Sequence, residues 1–460
     1  MKALVLPFMA AAAAALDLTV TTSRGRITGH KAPEAEGVYE FLGVPYATPP
    51  IGELSDCPQT GGKAVDYPEH TPQFQKIINP LQIFLGILWE RIDGRLAAHT
   101  PFFTGKYLAD AEDVVVVTVN FRINIFGYPG APGESQNLGM QDQRLAVEWI
   151  HSNIGAFNGD CSKIIIFGQS SGALAVDFWA YAYKSDPIVA GVIALSGNAY
   201  SFPLNTLELA AQNWYNVSSQ LGCGAQGNTM ACMRQANWDD IRAAAAKVPP
   251  PPGTSQARAQ SPFHATIDEK LVFSDYYERA QAGNLAKIPY MVGNNHNEAG
   301  YYKVPAYGQG KILNQSVWDN FNLESFTCAT ALEAAQRVAS GVPTWRYRHH
   351  GDWDNTRLYP TSGAYHGVDL HMILGASADV SGLPEVAAQT EAKGHIQKAY
   401  AAFAADPVHG LTKQVGWPTY NPNKNTLIEL SLNNNPQPVY SKASTYDAEC
   451  AQFLDNYKTT

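Results

Sequence analysis

Ser170 lies in the pentapeptide Gly168-Gln169-Ser170-Ser171-Gly172, between the apolar run Lys163-Ile164-Ile165-Ile166-Phe167 and the helix-like stretch from Ala173 to Trp179. A β-branched strand that turns sharply into a helix lifts a serine hydroxyl above the sheet edge, and glycines two before and two after it let the backbones approach without Cβ clashes. The next residue, Ser171, then opens the helix, so its amide and the helix dipole can face a developing oxyanion. The chemistry that such a serine performs is nucleophilic attack. Taken alone, the five-residue pattern also fits an ordinary Gly/Ser turn.

A serine hydroxyl is a poor nucleophile until a base takes its proton, and that base needs an acid to hold its tautomer. On sheets of this kind the chain order is Ser, then Asp or Glu, then His, each on a loop that follows a strand. After the apolar run Ile288 to Val292 comes the polar loop Gly293-Asn294-Asn295-His296-Asn297-Glu298-Ala299-Gly300, with Glu298 as its carboxylate. A glutamate favoured by a helix dipole is the bland reading of that residue. Twelve histidines compete for the base. His366 sits in the glycine-flanked loop Gly363-Ala364-Tyr365-His366-Gly367, just before an apolar helix-like run. His349 and His350 follow a strand expected at Thr344 to Arg348, with solvated arginines beside them, and His371 fits a packed helix face.

The elements that must position these residues read as one continuous α/β domain over residues 16–460. Apolar strands at Val114 to Phe121, Lys163 to Phe167, Val189 to Leu195 and Ile288 to Val292 alternate with helix-length segments, the pattern of a mostly parallel sheet covered on both faces. A chain of 460 residues with 45% hydrophobic and 16% charged residues can bury a large core. No internal repeat is apparent, and Pro249 to Pro252 reads as a stiff surface excursion. The net charge of −9 argues against nucleic acid or an anionic membrane as partner.

Residues 1–15 have the layout of a secretory signal peptide: Lys2, an apolar run from Ala3 to Met9, and an alanine tract from 10 to 15. That stretch is too short to be a transmembrane segment. Export makes disulfides expected among the six cysteines. Cys223 and Cys232 bound a small polar loop that suits a local bridge, Cys328 and Cys450 could staple the C-terminus to the body, and Cys57 and Cys161 have no evident partner. The sequons at Asn216 and Asn314 would accept glycans on an exported chain. No metal or organic cofactor is expected, since the chain has neither a His-Glu-x-x-His motif nor a phosphate-cradling glycine loop, and its cysteines are not spaced for zinc.

Phe157-Asn158-Gly159-Asp160 ahead of the pentapeptide, Asn120-Phe121-Arg122, Phe126-Gly127, Asp142-Gln143-Arg144, Trp149 and Asn153-Ile154 resemble the type-B carboxylesterase/lipase family, which includes the cholinesterases. Asn297-Glu298-Ala299-Gly300 and Tyr365-His366-Gly367-Val368-Asp369-Leu370 look like that family's acid and base motifs. The wording is nearest to secreted fungal members, and it runs over roughly residues 17–56 and from about 99 to the end. The resemblance implies an α/β-hydrolase fold and two-step hydrolysis of a small-molecule or lipid ester through an acyl-enzyme. Ser170, Glu298 and His366 would be the catalytic residues, Ser171 N–H an oxyanion donor, and Ser196 a hydrogen-bond partner of the acid. It also implies the bridges Cys223–Cys232 and Cys328–Cys450. Ester identity and oligomeric state are not readable.

One departure stands out. Family members carry, between the Val-Pro-Tyr-Ala-Thr-Pro-Pro region and the Val114 strand, two further strands and a His-Gly-Gly-Gly-Phe turn that supplies two oxyanion N–H groups. Here the interval from Pro50 to Val114 is too short to hold all of this, and Gly61-Gly62, Gly86 and Gly94 form no such run. Cys57 looks like the family's first disulfide cysteine without its partner, which would leave a free thiol. Residues 58–98 read as foreign, and the sequence predicts them to be the least defined part of the fold, without two paired central strands. Skipped coding sequence with a translated intron in its place would produce such a segment; an altered but genuine chain would be catalytically impaired, or a non-catalytic binding protein. Sequencing the transcript across residues 50–114 is expected to reveal the missing coding sequence, and a message encoding residues 58–98 as they stand would overturn that expectation.

Overall fold

The computed structural model describes residues 18–47 except 24 and 36, the backbone of 73–77 and 82–87, and residues 101–458 except 253 and 259. The signal-like segment 1–15, Cys57, and most of 58–98 lie outside the described residues. The strands are β1 (Thr19–Thr22), β2 (Gly25–Thr28), β3 (His30–Lys31), β4 (Val38–Phe41), β5 (Gln73–Ile77), β6 (Gln82–Ile87), β7 (Val114–Thr118), β8 (Ile164–Gln169), β9 (Gly191–Leu195), β10 (Tyr290–Asn295), β11 (Thr344–His349), β12 (Asn425–Leu430) and β13 (Val439–Lys442). β1 and β2 form a separate hairpin. The others make one sheet in the order β13-β12-β11-β10-β9-β8-β6-β7-β5-β4-β3.

From β12 to β7 every neighbouring pair is parallel, and antiparallel pairing is confined to the two flanks. The central strands are apolar on both faces, as burial from both sides demands. In β7 Val115 and Val117 join one hydrophobic cluster while Val114 and Val116 join the other, and in β8 Ile164 and Ile166 oppose Ile165 and Phe167 in the same way. The first layer is covered by α2 (Ser171–Ala182), which follows α1 (Leu138–Asn153) in the chain. The second is covered by α6 (Ala387–Ala405), which inserts Ile396, Tyr400 and Phe403. Three further helices matter for the site: α3 (Ala299–Gly308), α4 (Ala329–Ala339) and α5 (Asp369–Leu374).

The structure corrects the expectation that residues 58–98 hold no two paired central strands. β6 lies between β7 and β8, with Ile83 opposite both Val115 and Ile164, and β5 pairs antiparallel with β4 and β7. A gap at this point would leave two rows of backbone N–H and C=O groups unpaired inside the sheet, and the apolar run from Ile77 to Leu88 is the nearby segment able to close it. A second correction concerns β11. Arg346 and Arg348 are buried, not solvated: Arg346 forms a bidentate pair with Asp447, and Arg348 donates to Thr327 Oγ1 and to the His296 carbonyl.

A buried ionic network fastens α2 to this frame. Arg337 of α4 donates to Asp177 Oδ1 at 2.5 Å and also to Glu333, while Asp177 Oδ2 accepts from Ala199 N at 2.8 Å. All three charged side chains are fully enclosed, and burial together with the Asp177 charge pushes the Glu333 carboxyl well above its usual range. Removing one member of such a set leaves an uncompensated buried charge, which costs roughly 3–5 kcal/mol. Arg337→Met is therefore expected to lower the midpoint of thermal unfolding by several degrees or more; a melt that matches the unaltered protein would show that the network does not hold α2.

Candidate active site

Ser170 stands at the junction of β8 and α2 with φ 60° and ψ −121°, a conformation that a non-glycine residue adopts only where its surroundings compel it. Two features compel it. Ser170 N donates to Leu195 O of β9 at 2.9 Å. The chain also doubles back so tightly that a Cβ on Gly168 would lie 2.2 Å from the Gly172 carbonyl oxygen, and one on Gly197 would lie 2.6 Å from the Ser170 carbonyl oxygen. Ser171 is the first residue of α2, so its N–H has no acceptor within the helix, and the residue lines the same cavity as Ser170.

Glu298 follows β10 and is fully buried. Its Oε1 accepts from Ser196 Oγ at 2.6 Å and from Asn295 N at 2.5 Å, and its Oε2 accepts from His366 Nδ1 at 2.6 Å. With Nδ1 donating, Nε2 is left as the acceptor on the other side of the ring. Gln169 Nε2 reaches it at 2.9 Å. Among the described residues no hydrogen bond joins Ser170 to His366; the polar neighbours of the Ser170 hydroxyl include the phenol of Tyr302. Tyr302 and Phe326 flank the His366 ring, each with its centroid 5.1 Å away, and they keep the imidazole in place and largely dry.

The fold brings Ser170, Ser171, Ser196, Glu298 and His366 together. The rival histidines lie elsewhere or are held neutral. His349 and His350 are pushed down to about 3 mainly by burial and do not line the cavity. His371 packs edge-on against Phe102 and is pushed down to about 4 by burial. Of the aromatic residues whose place the sequence leaves open, Trp214 and Trp345 are buried in the core, Trp238 is exposed, and Tyr301 and Tyr302 line the cavity. Disulfides join Cys223 to Cys232 and Cys328 to Cys450, Cys161 is a free exposed thiol, and Asn216 and Asn314 are exposed.

The sequence assigns no role to Asn295 or Asp369, although both stand inside its acid and base motifs. Asn295 Nδ2 donates to Asp369 Oδ1 at 3.1 Å and Tyr347 OH donates to Asp369 Oδ2 at 2.9 Å, so a second buried carboxyl sits behind the first. Their spacing along the chain gives no periodic signal; only the fold makes them neighbours. Arg258 is a third such residue, on a loop between the glycine at 253 and β10.

The sequence pattern of the carboxylesterase family matches residues 94–325, just over half of the chain. The chain belongs to the carboxylesterase family. Its fold is accordingly an α/β-hydrolase fold and its activity the serine-dependent hydrolysis of carboxylic esters. This carboxylesterase is similar to secreted lipase 5 of Gibberella zeae, with 29% identity covering 95% of this chain and 94% of the relative. It is also similar to the chlorogenic acid esterase of Aspergillus niger (29% identity; 85% and 83% covered) and the para-nitrobenzyl esterase of Bacillus subtilis (25%; 91% and 96%). The alignment with the Gibberella lipase runs over 515 positions, more than this carboxylesterase has residues, so the relative holds residues that this chain lacks.

Asp369 gives this carboxylesterase a characteristic response to pH. Burial and the nearby Glu298 charge raise its carboxyl from the ordinary 3.8 to about 6. Between those values the folded protein keeps a proton that the unfolded chain has released, so stability falls as pH rises through this window, by on the order of 3 kcal/mol at most. Below about pH 4 the contribution is fully favourable, and above about 6 it is lost. The difference in thermal midpoint between the unaltered protein and Asp369→Asn is expected to slope between pH 4 and 6 and to level off above 6.5; a difference that is flat throughout would refute the assignment.

Proposed function

We propose that this carboxylesterase is exported and cleaves esters by two-step acyl transfer, with Ser170 as nucleophile, His366 as general base and Glu298 as the acid that orients it. The observation that carries the reading is the 2.6 Å contact between Glu298 Oε2 and His366 Nδ1, with His366 lining the same cavity as a serine held in a strained strand-to-helix elbow. For attack, the Ser170 hydroxyl leaves Tyr302 and gives its proton to His366 Nε2 as its oxygen bonds to the ester carbonyl carbon. Resting catalytic hydrogen bonds are often open in this way and close on substrate. His366 then protonates the departing alcohol, and water attacks the acyl-enzyme with His366 again as base. Ser196 and Asn295 hydrogen-bond to the Glu298 carboxylate and hold it in line with His366.

Ser171 N–H is the oxyanion donor in this reading. β6 ends with Ile87 opposite Gly168, beside the elbow, and the residues that follow it to Thr100 contain the single glycine Gly94. The family's glycine-rich turn is therefore not present in sequence at the point where it would be needed. Loss of one donor from such a hole costs on the order of 10²–10³ in rate, so a low turnover number is expected. Export is supported by the two disulfides, the exposed sequons at Asn216 and Asn314, the signal-like residues 1–15, and the naming of relatives as secreted lipases. Among the described residues no helix is long and apolar enough to cross a membrane.

Ser170→Ala is expected to lower hydrolysis of a short-chain p-nitrophenyl ester by about 10⁴-fold or more. A serine-directed phosphonate is expected to label Ser170 and nothing else. Well-folded protein that is never labelled at Ser170 would favour a non-catalytic binding role, for which the missing glycine turn speaks.

A further inference from the structure

The cavity above Ser170 has a volume of about 620 Å³ and walls formed largely by aromatic and aliphatic side chains, among them Phe121, Phe178, Phe202 and Tyr301. Its charge is one-sided. Among the described lining residues there is no aspartate or glutamate, while Arg258 and Lys311 are cations. Lys311 is exposed at the rim and Arg258 is half-buried in the wall. The lining histidines His264 and His371 are each pushed down to about 4, chiefly by burial, and so are neutral at pH 7. A positive cavity in a chain of net charge −9 does not follow from overall composition.

Arg258 differs from most arginines inside the molecule; Arg348 also lacks a carboxylate partner, but it donates to Thr327 Oγ1 and the His296 carbonyl and does not line the cavity. Arg122 pairs with Asp142, Arg337 with Asp177, and Arg346 with Asp447. Arg258 has no carboxylate within ion-pair distance among the described residues. Its guanidinium lies 3.8 Å from the centre of the Phe202 ring, meets Gln260 Oε1 only at 3.5 Å, and has the Tyr302 phenol as its other polar neighbour. Burial lowers its pKa; a guanidinium is not deprotonated in proteins, so Arg258 is a cation partly stripped of water. An unpaired, partly desolvated cation is costly, and an incoming anion removes that cost.

We infer that the ester this cavity takes carries a carboxylate, and that Arg258 is the residue that pairs with it. The inference rests on the proposed role of Ser170. Tyr302 has both Ser170 and Arg258 as side-chain neighbours, and all three line the same cavity, which puts the cation near the nucleophile. The carboxylate is then a few atoms from the ester carbonyl, as in a half-ester of a short dicarboxylic acid. A guanidinium fits this task because it offers a carboxylate two parallel N–H donors, and the apolar walls strengthen the pairing by excluding water.

The test compares mono-p-nitrophenyl glutarate with p-nitrophenyl butyrate, and 4-carboxyphenyl butyrate with phenyl butyrate, so that the charge lies on the acyl side in one pair and on the alcohol side in the other. The charged member of one pair is expected to have a kcat/KM about 10–100-fold above its neutral partner, with the preference falling as salt rises. Arg258→Met is expected to lower kcat/KM for that charged ester at least tenfold more than for the neutral one, and Arg258→Lys to restore part of the difference. Equal losses on charged and neutral esters, or preference for the neutral member in both pairs, would overturn the inference. Turnover of neither member by the unaltered protein overturns the role of Ser170 instead. In that case calorimetry on Ser170→Ala decides the inference: binding of mono-p-nitrophenyl glutarate that Arg258→Met weakens tenfold sustains it, and binding indifferent to Arg258 refutes it.

Discussion

The elbow at Ser170 is the constraint around which the rest of the molecule is arranged. A serine at φ 60° persists only if neighbouring structure enforces it, and here enforcement comes from three directions. The Ser170 amide is tied to β9, Gly168 and Gly197 permit backbone contacts that any side chain would block, and α2 is fastened at Asp177 to Arg337 of α4. The parallel sheet supplies the rigidity, since β8 is paired on both sides, with β6 and β9. A hydroxyl held this way loses little freedom when substrate binds.

Behind the elbow lies a chain of buried polar groups that runs from His366 through Glu298, Asn295 and Asp369 to Tyr347. Placing two carboxyls so close in a dry interior is unfavourable unless their states differ. Glu298 accepts from a hydroxyl, an amide N–H and an imidazole N–H. Asp369 receives one amide and one phenol donor, and its carboxyl rises toward neutral pH. Difference of environment thus separates two acids buried near the same histidine.

The cavity completes this picture with a cation in place of a carboxylate. Tyr302 touches both systems, since its ring lies against His366 and its phenol lies near Ser170 and Arg258. Substrate charge and nucleophile are therefore felt through one side chain. The missing glycine turn bears on the same region, because β6 ends with Ile87 opposite Gly168 and the sequence after it holds no glycine-rich run.

Much of this was legible in the residue order. Apolar runs bounded by polar loops announce β7, β8, β9 and β10, because strands buried on both faces must be apolar throughout. The pentapeptide around Ser170, the loop with Glu298 and the loop with His366 could each be found locally, because each is a strand end followed by a turn with glycine in it. What sequence could not settle was partnership. The pairing of β5 and β6 inside the sheet, the burial of Arg346 and Arg348, the hydrogen bonds from Asn295 to Asp369, and the isolation of Arg258 from every described carboxylate depend on which side chains meet across tens or hundreds of residues. Chain-local chemistry thus determined that this protein presents a serine elbow with an acid and a base in the right order. The tertiary structure alone decided what surrounds them, since burial and charge pairing are properties of the packed interior and not of the order of residues.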